Sequence, residues 1–333
     1  MSDKKHSRVG LIVALIFSAA ILGFASWLFV NQRFVADQLS VWAYSAPENI
    51  QKIEERVDFT GKGRFYFYVT HPEVASADTF NQDCPRQETN SPILGCYVAG
   101  RIFIFDIKNE QLDGIKEVTA AHEMLHAVWE RMSADEQARI GGLLRSEYAK
   151  LTNGKLKDRM DYYARTEPGQ FENELHSIIG TEFTNISPEL EDYYQQYFED
   201  RQNVLAFHAK YDALFTSLVD QRDTLYEQLL TLGQSIETRS AAYNVAVNQL
   251  SSDIADFNNR AKNSDFSSIS QFNNERAVMI ARTDELSAER AAINADINRY
   301  NVLFAQYEEV AVQIETLNKS IDSINDLKPA PSL

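Results

Sequence analysis

Residues 119–128 read Thr-Ala-Ala-His-Glu-Met-Leu-His-Ala-Val. His122 and His126 are four apart, about one turn, so on a helix both rings leave the same face. Two imidazole nitrogens placed in that way can converge on one zinc ion. Glu123, offset by one residue, projects beside the metal, where a carboxylate can take a proton from metal-bound water. The flanks Thr119 to Ala121 and Ala127 to Val128 carry no charge. That suits a helix buried beneath a metal, where a stray charge would be costly or would compete for the ion.

Two histidines leave such a site incomplete, because catalytic zinc takes three protein ligands and keeps a fourth position for water. No H-x-x-G-x-x-H pattern supplies a third histidine; Ala127-Val-Trp-Glu130-Arg follows instead. Glu130 lies one turn beyond His126, too far along the axis to share the metal. The best source is Asn173-Glu174-Leu-His176-Ser, with Glu174 the first choice. His176 is the alternative, as ligand or as a stabiliser of the oxyanion. Tyr162 and Tyr163 offer hydroxyl donors for a tetrahedral intermediate, against the simpler reading of aromatic packing. His71 and His208 have no evident partner and read as structural.

HEMLH with a downstream Asn173-Glu174 resembles the gluzincin branch of the zinc metallopeptidases, and Gly180-Thr181 fits the same pattern. The resemblance covers two helices. It implies His122, His126 and Glu174 as ligands of Zn2+, Glu123 as general base, and a zincin-like domain. The chain departs from the pattern at Ile178, where an acid orienting a zinc histidine is expected. Glu182 or Asp161 would have to take that part.

The elements that must position these residues can be read in outline. Arg33 to Val57 reads as helical with a turn at Ala46-Pro47-Glu48. Arg64-Phe-Tyr-Phe-Tyr-Val-Thr70 is a strand by composition, and Cys96 to Asp106 a second one, bent into a hairpin at Gly100. Leu112 to about Met132 is the helix carrying the histidines. Ser133, with Glu136 three on, caps another that runs to about Leu151 and breaks at Asn153-Gly154. Residues 155–169 are polar, and Phe171 to Phe183 returns to helical spacing. These pieces make a small α+β domain.

Ser187-Pro188-Glu189 begins a different region. Apolar residues recur at alternating steps of three and four to Phe257, pause at Asn263–Ser268, and resume from Leu286 to Ile324. Such heptad-like seams around a short break predict an antiparallel α-helical coiled-coil hairpin. The expected organisation is a cytoplasmic N-terminus at 1–8, a transmembrane anchor at 9–30, the catalytic domain at 31–186, the hairpin at 187–326 and a tail at 327–333.

Val9 to Val30 is an uncharged run long enough to span a bilayer as a helix. Basic residues before it favour a cytoplasmic N-terminus and an extracytoplasmic bulk. A signal peptide cleaved after Gly23-Phe-Ala25 is the rival reading. Cys84 and Cys96 lack C-x-x-C spacing and read as disulfide partners outside the cytosol. A net charge of −16 disfavours nucleic acid as a partner.

The expectation is a membrane-anchored, extracytoplasmic zinc metallopeptidase acting on a peptide or protein substrate, its hairpin meeting a protein partner or a second copy. The alternative is a non-enzymatic envelope scaffold whose zincin-like domain is inactive or holds a structural metal. A third idea makes the hairpin an inhibitory arm over the cleft.

Overall fold

The computed structural model describes residues 3–85, 93–151 and 154–324. The expected break at Asn153 and the tail at 327–333 lie outside the described residues. Helix α1 (Asp3–Val30) contains Gly10–Val30, long and apolar enough to cross a membrane, with mean hydropathy 2.4. It is followed by α2 (Gln32–Ala43), α3 (Glu48–Val57) and α4 (Gly61–Val69). Then come β1 (Glu73–Ala75), α5 (Ala77–Asp83), β2 (Gly95–Val98) and β3 (Arg101–Phe105). Five helices follow: α6 (Ile115–Arg131), α7 (Ala134–Tyr148), α8 (Gly154–Thr166), α9 (Phe171–Glu182) and α10 (Pro188–Tyr194). The long helices α11 (Arg201–Asn263) and α12 (Ile269–Ile321) complete the order.

The chain is mostly helical, and its sheet is small. Three short strands lie in the order β1-β3-β2, β1 parallel and β2 antiparallel to β3. The expected hairpin turns at Ala99 and Gly100, both at positive φ. Central β3 is buried from Ile102 to Phe105, which explains its almost unbroken apolar run.

The aromatic segment 64–70 corrects the sequence reading, because it is helical to Val69, with Thr70 as the C-cap. Thr60 caps α4 by accepting from the Gly63 amide at 3.0 Å. Gly63 and Phe67, one turn apart, face inward, and a Cβ at Gly63 would collide with the Tyr197 carbonyl. Cap and core contact outweigh the β-propensity of the aromatic run. Residues 155–169, read only as polar, carry α8. At α7 the expected cap is in place, with Ser133 accepting from the Glu136 amide at 3.2 Å.

Two compact units divide the chain: residues 1–212 with 319–333, and residues 213–318. The first has a single core built from α3, α4, β3, α6, α7, α8, α9 and the stretch from Leu190 to Val204. The expected boundary between 186 and 187 therefore falls inside a core, since Leu190, Tyr194 and Val204 are fully buried. The second unit is a pair of helical segments. Arg239 meets Glu289 and Asp296, Arg282 meets Asp253, and Arg260 meets Glu275, so the two segments run antiparallel. At the break between them Phe266 packs against Phe257 of α11 and Phe272 of α12, whose rings also meet each other.

Candidate metal centre

Helix α6 is buried along most of its length, with Met124 and Leu125 fully enclosed. That burial fixes which way its polar face looks. His122 and His126 stand edge to face with ring centres 4.9 Å apart. Helix α9 lies along α6, and Gly180 makes the approach possible: a Cβ there would sit 2.5 Å from Leu125 Cδ1. The same packing brings Glu174 to the histidines. Its carboxylate oxygens lie 3.9 Å from His122 Nε2 and 3.5 Å from His126 Nε2. The three donor atoms are all within 4.8 Å of one another.

Donors bound to one zinc-sized ion at about 2.1 Å lie roughly 3.4 Å apart in a tetrahedron, close to these separations. The electrostatics fit the same conclusion. Burial and the neighbouring His126 hold His122 well below its ordinary pKa, so it is a neutral donor. Burial pushes the Glu174 carboxyl up, with His126 and Arg159 only partly offsetting it. Burial also disfavours charge on His126, yet Glu174 and Glu123 outweigh it and raise its pKa. Without an ion the proton on His126 meets the Glu174 carboxylate, and an ion that displaces that proton would find two imidazoles and a carboxylate within reach, so the group could hold a metal ion.

His126 is oriented by an amide. Its Nδ1 lies 3.0 Å from Asn173 Oδ1 and 3.3 Å from Ser177 Oγ. The Asn173 amide nitrogen donates to Gln170 Oε1 at 2.9 Å, which fixes its carbonyl oxygen toward the ring. That oxygen only accepts, so Nδ1 carries a hydrogen, which leaves Nε2, the nitrogen facing Glu174, as the one that would ligate a metal. The acids expected in this part are elsewhere. Ile178 is core, Asp161 is exposed, and Glu182 holds Arg159 at 2.6 Å and His208 at 3.4 Å.

Glu123 is 6% exposed and lies against edge strand β2. Gly95 leaves the space for it, since a Cβ there would be 3.0 Å from the Glu123 carboxylate and 2.5 Å from Thr119 Cγ2. The Tyr97 backbone N–H donates to the same carboxylate. Burial pushes the Glu123 carboxyl up to about 7. The Cys84–Cys96 disulfide, formed as expected with Cα atoms 5.8 Å apart, ties this strand to the end of α5.

The remaining candidates separate. Tyr163 hydrogen-bonds Glu174, while Tyr162 meets the Tyr163 ring edge-on at 5.5 Å and none of its described contacts reaches the donors. His176 is fully buried, its Nε2 2.9 Å from the Tyr193 hydroxyl and its ring stacked on Tyr194. Burial drives its pKa down to about 3, as expected of a core histidine. It does not belong to the donor group. His71 and His208 are not partnerless: His71 Nε2 meets Ser40 Oγ at 3.0 Å, and His208 meets Glu182. Glu130 binds Arg33 and Tyr97.

Sequence reasoning missed Gly95, Arg159 and the orienting role of Asn173. Only Asn173 left a signal, one residue before Glu174. No known protein family, no curated protein and no solved structure matches this chain.

Proposed function

We propose that this protein is a membrane-anchored, extracytoplasmic zinc metallopeptidase with a zincin-like domain. One observation carries the reading: a donor group of half-buried His122 with buried His126 and Glu174, and buried Glu123 beside it. Two imidazoles and a carboxylate are a donor set of catalytic zinc sites with one position left for water. Helix α1 and the Cys84–Cys96 disulfide support an anchor and an oxidising compartment.

A bound zinc ion supplies Lewis acidity and lowers the pKa of water. Glu123 receives the proton of the attacking water on its carboxylate and returns it to the leaving amine. A resting pKa near neutrality suits both transfers. Asn173 holds the His126 tautomer, and Gly95 and the Tyr97 amide hold Glu123 in place.

The test is metal analysis of the purified full chain, followed by hydrolysis of a quenched fluorogenic peptide library. Glu123→Gln is expected to retain the metal and lose at least about a hundredfold in rate. Hydrolysis that survives the substitution would remove Glu123 from its role. The second reading, a coiled-coil envelope scaffold, draws on exposed apolar residues of the second unit such as Val245, Val302 and Val312. A full chain that holds zinc yet cleaves no library peptide would favour it.

A further inference from the structure

The helix leaving the proposed membrane span is fastened directly to the helix that carries the metal donors. Helical hydrogen bonding runs through the junction of α1 and α2: the Asn31 amide donates to Trp27 O at 2.9 Å, and Val35 to Asn31 O at 3.0 Å. There is no flexible linker. Three residues past the span, Arg33 donates to the Glu130 carboxylate at 2.7 Å and to its backbone carbonyl at 3.2 Å. One turn further, Asp37 takes both arms of the Arg131 guanidinium at 3.0 and 3.2 Å. That pair is largely buried, with side chains 16% and 9% exposed. A buried bidentate pair resists separation, because either charge left alone would be unsolvated.

The rest of α2 is held as well. Phe34 stacks on Phe65, Ser40 donates to Val69 O at 3.3 Å, and the Tyr44 hydroxyl donates to Pro72 O at 2.6 Å. Glu130 and Arg131 end α6, only one to two turns from His126. Counting 1.5 Å per residue along α2 and α6, with the side chains between, the donor group lies on the order of 20 Å from the outer end of the span. It cannot swing away.

We infer that the substrates of this site are polypeptide segments lying close to the surface of the same membrane, selected by a rigid anchor that fixes the height of the donor group. The inference rests on the proposed peptidase activity and on α1 spanning the bilayer. It adds the substrate class: the juxtamembrane part of a membrane protein, or a chain held at the bilayer surface.

The test uses the full chain in liposomes and the best-cleaved member of the fluorogenic library. That peptide is tethered to lipid through a flexible spacer of about five residues or a rigid helical spacer of about forty, which reaches roughly 60 Å. The same peptide is also offered untethered. The short tether is expected to be cut at least about tenfold faster than the long rigid one. A flexible Gly-Ser insertion of about twenty residues between Asn31 and Gln32 is expected to restore cleavage of the long rigid probe and leave the untethered rate unchanged. Equal cleavage of both tethered probes by the unaltered chain, or no restoration by the insertion, would overturn this inference alone. Failure to cleave any probe, the untethered peptide included, would overturn the peptidase reading with it.

Discussion

His126 owes its orientation to an uncharged partner. Asn173 accepts from Nδ1 at 3.0 Å and is itself held by Gln170. An amide fixes the tautomer without adding charge to a site already rich in carboxylate. Asn173→Ala is expected to weaken metal binding by about 10–100-fold while the fold survives, read by competition with a chromophoric chelator. Glu123 makes a different prediction for the metal-free protein. Its carboxyl titrates near 7 when folded against an ordinary value of 4.5. The folded state therefore binds this proton more tightly, and stability falls as pH rises from about 4.5 through about 7. Glu123→Gln removes that cost. Metal-free E123Q is expected to be more stable than wild type at about pH 8, by up to about 3 kcal/mol, and no more stable at about pH 4. Thermal unfolding at both pH values checks it. The histidine pair and Glu123 could be read from spacing alone, because one helix sets their relation. Asn173 appeared as a neighbour of Glu174, but nothing local says that its side chain turns to a ring 47 positions earlier.

The third donor depends on how closely two helices approach. Gly180 lets α9 settle on α6 with no side chain between, against Leu125 and Tyr194. Gly180→Ala would place a methyl 2.5 Å from Leu125 Cδ1 and 2.7 Å from Tyr194 Cε1. It is expected to cost about 1–3 kcal/mol in thermal unfolding and to weaken metal binding, because Glu174 retreats with its helix. Unchanged affinity alongside lowered stability would show that Glu174 does not depend on this contact. Helices were more legible than the aromatic strand candidate. The Ser133 cap and the pause at 263–268 act locally, whereas the segment 64–70 is decided by Thr60 and by the Tyr197 carbonyl from a distant part of the chain.

The long helical region and the first unit interlock in sequence. Leu190 to Val204 belongs to the first core, and the chain returns to it after 318. There Asn81 pairs with Ser323, and Asn109 with Ser320. Cutting after Pro188, the test the sequence alone would suggest for an inhibitory arm, would remove core residues. Replacing 213–318 by a short flexible linker is the cleaner experiment. The first unit keeps its core in that variant, so its metal affinity is expected to stay within about twofold of the full chain and its cooperative thermal transition to be retained. A rise in peptide hydrolysis would support the inhibitory arm, and an unchanged rate would dismiss it.

By itself the sequence determined what short range can encode. It specified two histidines and a glutamate on one helix, the cap at Ser133, an apolar span, two cysteines in reach of each other, and two long helical runs with a break. Each follows from residues within a few turns of one another. Only the tertiary structure brought Glu174 to the histidines, turned Asn173 to His126, buried His176 in the core and set Gly95 against Glu123. It also made 64–69 a helix and fastened α2, which continues from the apolar helix α1, to the end of α6. Those outcomes depend on which distant segments pack together, and packing is selected by the whole core rather than by any local pattern.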